Sequence, residues 1–181
     1  AEECLKQADQ LATTLENPQI RGQIFNEMAR LYLAKNMTEE SINILLKKKK
    51  LCQEHKVEVD EEISALRLGL AYEQKGEFDK AILVLKEGKR KAKEAGNSSC
   101  MGALLRHLGF CLGEVNDITN AEDYFEASLL LARGLGKRKE ELDILLRCGE
   151  IYVKSKDFEQ ALNLLKEGLE LAENYHDKRH E

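Results

Sequence analysis

The chain has 181 residues, 43% hydrophobic and 34% charged, with no tryptophan and a single proline. That balance suits long amphipathic helices and argues against a sheet protein, and no apolar stretch is long enough to span a bilayer. A formal charge of −5 gives no global attraction for nucleic acid or an anionic membrane surface.

In chain order, residues 1–17 read as the second helix of a hairpin. Ala1 and Leu5 lie 40 residues before Ser41 and Leu45. The chain therefore starts in mid-repeat and reads as a fragment of a longer protein. Four units follow, over residues 19–56, 58–96, 98–136 and 138–176. Ala29, Gly69, Gly109 and Gly149 are spaced at intervals of 40, and Tyr32, Tyr72, Leu112 and Tyr152 keep the same phase. So do Ser41, Ala81, Ala121 and Ala161, and after them Leu45, Leu85, Phe125 and Leu165. An internal repeat of this fidelity specifies a helical array before any single residue is interpreted.

The unit from Glu61 to Gly96 shows the plan. One helical pattern runs through Leu66, Leu68 and Tyr72 and stops at Gly76. A second runs through Ala81, Leu85 and Ala92 and closes at Gly96. Two helices joined by so short a turn pack antiparallel. Thr38, Asp117 or Thr119, and Asp157 are the expected N-caps of the second helices. Mid-helix glycine costs about 1 kcal/mol relative to alanine, so Gly69, Gly109 and Gly149 mark close helix approach, with Ala81, Ala121 and Ala161 facing them. Phe78 and Phe158 are expected to plug the hairpin ends. The last helix carries Leu162, Leu165 and Leu169 with no following helix to cover them.

Cys4, Cys52, Cys100, Cys111 and Cys148 show no paired spacing. A zinc site or disulfide framework is not expected, and free thiols suit a cytoplasmic or nuclear protein. His176 and His180 have an i, i+4 spacing but sit in a charged tail, which reads as solvated. With no nucleophile elbow and no phosphate loop, no enzyme and no cofactor are expected.

At Leu68-Gly69, Tyr72, Ala81 and Leu85, and again at Leu108-Gly109, Leu112, Ala121 and Phe125, the sequence resembles the tetratricopeptide repeat family. Gly149, Tyr152, Ala161 and Leu165 repeat the pattern, and Ala29, Tyr32, Ser41 and Leu45 form a more degenerate copy. The family tryptophan and terminal proline are absent, and the period is 40 rather than the usual ~34. The Gly-to-Ala spacing is standard, so the extra length falls between Ala81 and Gly109. In this the chain is similar to the long-repeat subclass of Pins-type adaptors, Rap regulators and kinesin light chains. The resemblance implies an all-α right-handed solenoid of about nine helices whose first helices line a concave groove.

Carried over residue by residue, the resemblance places Asn26, Arg30, Leu66, Arg67, Leu70, Arg106, His107, Phe110, Arg147 and Lys154 on that groove. Arg67, His107 and Arg147 form one column. Guanidinium groups favour carboxylates through paired hydrogen bonds, while Leu66, Leu70 and Phe110 offer apolar anchorage. The expected ligand is therefore a peptide with acidic residues around hydrophobic anchors, bound by a non-enzymatic scaffold. The alternative pairing sets the arginines against Glu73, Glu114 and Glu150. The chaperone-tail carboxylate clamp of the family is not matched in either register. The basic runs Lys47–Lys50 and Lys86–Lys93 fall on second helices, where interleaved acidic residues weigh against an RNA track. The remaining alternative is a structural assembly element that uses its convex face and self-associates through uncapped array ends.

Overall fold

The computed structural model describes residues 2–177. Among these, nine helices and no strand are found: α1 (Glu2–Thr14), α2 (Pro18–Ala34), α3 (Thr38–His55), α4 (Glu61–Gln74), α5 (Phe78–Glu94), α6 (Ser98–Glu114), α7 (Ile118–Gly134), α8 (Arg138–Lys154) and α9 (Phe158–Asp177). The chain divides into two compact units between Ala95 and Gly96. In the first, α2 pairs with α3 and α4 with α5, and α1 packs on α2. In the second, α6 pairs with α7 and α8 with α9, and α7 packs on α8.

Each turn within a hairpin is closed in one way. The backbone N–H of Met37, Glu77, Asp117 and Asp157 donates across five residues to the carbonyl of Tyr32, Tyr72, Leu112 and Tyr152, each at 2.9 Å. This closure requires a left-handed residue one position earlier. Gly76 supplies it at φ +72°, while Asn36, Asn116 and Lys156 adopt φ of 57°, 64° and 66°. The turn is thus fixed by backbone geometry at a constant phase, and only one of the four copies uses glycine.

The capping pattern differs from expectation. Asp157 does cap α9, accepting from Gln160 N at 3.2 Å. Asp117 occupies the N-cap of α7, but its carboxylate holds the Asn120 amide instead of a backbone N–H. Thr38 is already inside α3, whose N-cap is Met37; its hydroxyl bonds the Gln74 side chain at 3.0 Å. The side-chain caps Asn17 and Asn97, each accepting at 3.0 Å from the N–H three residues on, begin first helices. They are the same phase of repeats 80 residues apart.

The mid-helix glycines do mark close approach, although leucine and phenylalanine make most of it. A Cβ on Gly69 would fall 2.4 Å from Leu85 Cδ2, and one on Gly109 would fall 3.0 Å from the Phe125 ring. Ala81, Ala121 and Ala161 are buried beside them, and their small size lets the large side chain one turn on reach across. The first unit's core gathers Phe25, Met28, Tyr32, Leu45 and Leu51. In the second unit Leu104, Leu108, Cys111, Ile144 and Leu145 are sealed. Phe158 is 64% exposed and plugs nothing, whereas Phe78 at the same phase is half-buried.

The period breaks once. α2, α6 and α8 have 17 residues, but α4 has 14. The turn that should begin α4 is unwound between Lys56 and Asp60, both at positive φ. Val59 is buried and lies against Gly22 of α2, where its Cγ2 would stand 3.1 Å from an added Cβ. Lys48 explains the break. Its side chain is 2% exposed, and its ammonium donates to the carbonyls of Val59 and Asp60 and to Ser64 Oγ. Carbonyls left by the unwound turn thereby find a partner, as buried backbone polar groups must. Burial holds the Lys48 pKa below its ordinary value.

Candidate functional site

In the second unit, α6 and α8 pack side by side and bring four of the predicted residues together. Two guanidinium groups meet one carboxylate: Arg106 Nε lies 3.1 Å and Arg147 Nε 3.5 Å from Asp143 Oδ2. The Arg106 contact is an ion pair without the alignment of a hydrogen bond. Arg147 also stacks over the Phe110 ring at 4.8 Å from its centroid, and the Lys154 ammonium lies 5.9 Å from the same ring. Lys154 is paired with Glu114. A cation over an aromatic face is held by the ring quadrupole, and more strongly as water is excluded. Side-chain spacing on both helices accounts for the meeting: 106 and 110 are i, i+4 on α6, as are 143 and 147 on α8.

His107 does not join this surface. It is 4% exposed, and its Nε2 lies 3.4 Å from Arg106 Nη2. α6 is closely packed further along as well, where a Cβ on Gly113 would meet Ile151.

In the first unit, Arg67 is committed to the structure. Its Nη1 donates to the Asn26 carbonyl and its Nη2 to Glu27 Oε1 at 3.1 Å. Glu27 also accepts from Arg30 Nε at 2.8 Å; the hydrogen bond from Arg30, with help from Arg67, holds its carboxyl below the usual range. Asn26 is buried; its Oδ1 accepts from Ser64 Oγ at 2.9 Å, while its Nδ2 has no partner. Leu66 and Leu70 are half-buried on α4, and Arg30 is exposed. Arg67 pairs with Glu27, and Arg106 and Arg147 lie against Asp143, carboxylates outside the expected set of Glu73, Glu114 and Glu150. A signal for this lies in the sequence: Glu27 and Arg67, and likewise Glu114 and Lys154, are opposite charges at one phase of adjacent repeats. Asp143 does not follow that rule, and sequence reasoning left it out of the candidate set.

All described cysteines are free, and Cys4 alone is exposed. Burial pushes the Cys148 thiol up to about 12 and raises Cys52 as well. No helix among the described residues is long and apolar enough to cross a membrane. Of His176 only the backbone is described, and Ala1 and His180 lie outside the described residues.

Comparison with known proteins adds the following. Family models described as tetratricopeptide repeat match residues 100–174 and 64–95. Curated protein sequences yield no match. Among solved structures, BtubC from P. vanneervenii is similar over 97% of this chain and 73% of its own, with a TM-score of 0.85 and 16% identity. Aspartyl phosphate phosphatase F from Bacillus subtilis has a TM-score of 0.78 at 14% identity, over 96% of this chain. The chain spans only 45% of that protein's length. The Rap conjugation gene regulator of plasmid pLS20, in complex with the Phr* peptide, has a TM-score of 0.69 at 15% identity. It is covered over 85% of this chain and 42% of its own. At these identities the likeness is one of fold.

Proposed function

This chain belongs to the tetratricopeptide repeat family, and from that premise we propose that it is a non-enzymatic interaction scaffold binding an acidic, partly apolar peptide. The α6–α8 face of the second unit is the proposed contact. One observation carries the reading: Arg106 and Arg147 share the single carboxylate of Asp143 beside the Phe110 ring. A guanidinium presents five N–H donors in a planar fork, so two of them side by side suit a carboxylate acceptor. A peptide carboxylate placed there gains charge-assisted bonds, while an apolar neighbour covers the ring. Lys154 is proposed to extend the contact within the second unit, and Leu66 and Leu70 are proposed as a separate apolar contact on the first. Arg67 and Asn26, already engaged in the fold, position α4 against α2 and are not proposed as ligand donors.

Support from the neighbours is limited to fold and to one printed fact, that the Rap regulator is in complex with a peptide. The phosphatase likeness carries no activity to this chain. The free thiols favour a reducing, cytoplasmic setting.

The experiment is a pull-down with this chain, mapping of the bound segment, and affinity measurement against two variants of opposite expected sign. Asp143→Asn removes the internal competitor and is expected to tighten binding of the acidic segment. Arg147→Glu is expected to weaken it at least tenfold. If Asp143→Asn fails to tighten binding, or if Arg147→Glu binds as well as the parent, the α6–α8 assignment is wrong. An assembly role is favoured instead by the exposure of Leu162 and Leu169, 53% and 59%. It predicts that changes on α9 alone disturb association.

A further inference from the structure

The unwound start of α4 has a consequence on the opposite side of that helix from Leu66, Arg67 and Leu70. Between α3 and α5 it leaves a cleft of about 840 Å³, within the ~300–1,000 Å³ of sites that hold a ligand. Leu45 and Leu68 line it from α3 and α4, and Leu83 and Val84 from α5. Leu83 is 72% exposed, a large apolar side chain presented to water beside an open cleft.

Two residues that break their repeat columns build this feature. Position 48 corresponds to Ala8, Gly88, Ser128 and Gly168, all small, yet carries lysine. Position 64 corresponds to Ile24, Leu104 and Ile144, all buried and apolar, yet carries serine. The misfits meet, Lys48 donating to Ser64, and together they hold residues 56–60 away from the helical path. A cleft that depends on a matched pair of exceptions is a built feature of this repeat.

Its charge indicates what fits. Arg90 is paired with Glu87 and Glu94, and Lys91 with Glu61. Lys49 and Lys56, also on the lining, are exposed and stand in no ion pair. Glu58 lines the cleft too, exposed and in no ion pair, so the unpaired charge at the rim is basic on balance, the interior is apolar, and two walls are helices. An amphipathic helix seats its apolar face in such a groove, with its polar flanks meeting the rim.

We propose that the α3–α5 cleft is a second docking site, for an acidic amphipathic helical segment of a partner protein. It is independent of the α6–α8 contact. A random library of helical 16-residue peptides, displayed and selected on the full chain, tests it by fluorescence-anisotropy affinities. Selected peptides are expected to carry leucine, isoleucine or phenylalanine at i, i+3 or i+4 with glutamate or aspartate between them. Leu83→Asp, and separately Lys49→Glu with Lys56→Glu, should weaken these peptides at least tenfold, while Arg147→Glu leaves them unchanged. Leu83→Ser, which adds no charge, should weaken them in the same direction, and circular dichroism checks that each variant keeps its helices. The proposal is overturned if no peptide is enriched, if all enriched peptides ignore Leu83→Asp, or if a random single-stranded RNA binds the cleft more tightly than any of them.

Discussion

At the scale of single residues, a glycine's value here is set by what stands opposite it. Gly69 faces Leu85, which is fully buried and has no room to retreat. Gly69→Ala is therefore expected to destabilise the chain: overpacking costs about 1–3 kcal/mol, against a propensity gain of about 1 kcal/mol. Gly134, with nothing within 4 Å of an added Cβ, should instead gain up to about 1 kcal/mol on the same change. Thermal melting of the two variants checks the contrast; equal shifts would refute the packing argument. The thiols give a second prediction. Only Cys4 is exposed, so one of the five cysteines should react rapidly with a thiol reagent in the native protein, and all five in denaturant. Because Cys148 is raised in the fold to about 12 from 9.0, its contribution to stability is complete below pH 9 and is lost as pH rises toward 12. A melting temperature that falls over that alkaline window is the expected sign. Burial rather than spacing decides both outcomes, which is why the sequence showed that the cysteines were unpaired but not which one was open.

Among the elements, the regular parts of the fold were legible and the exception was not. Gly76 and Gly96 located helix ends because each occupies the left-handed region, and the hairpins followed from the short turns between apolar helical patterns. The missing first turn of α4 is not legible in the repeat columns, because it depends on Lys48 and Ser64, the two residues that depart from theirs. Lys48 belongs to the basic run Lys47–Lys50, yet it is the buried member of that run. A double-mutant cycle at Lys48 and Ser64 tests the pairing. Lys48→Met strands the Val59 and Asp60 carbonyls, a loss of about 1–3 kcal/mol. Lys48→Gly with Ser64→Ile restores the repeat pattern at both positions and should lose less than the sum of its single changes. The expected coupling is on the order of 0.5–3 kcal/mol, with altered amide exchange at residues 57–60. Strict additivity would show that the two residues are not a unit.

For the whole molecule, the repeat identifies the scaffold, and the residues that vary at fixed phase carry its chemistry. Several predicted contact residues serve the fold instead: Arg67 ties α4 to α2, and His107 is sealed inside α6's packing. The helical stripe alone does not distinguish an arginine that holds the neighbouring helix from one that faces a ligand, because both occupy it; for Arg67 the opposite charge at the same phase, Glu27, is the added signal. Placement does so for Arg106, Phe110 and Arg147, which assemble around Asp143 within one unit. The most direct measurement is the affinity of the mapped partner segment for the parent chain and for Asp143→Asn at equal ionic strength. Release of the two arginines predicts tighter binding in the variant, with the gain shrinking as salt is raised. Weaker or unchanged binding by a folded Asp143→Asn chain would contradict an acidic ligand on the α6–α8 face.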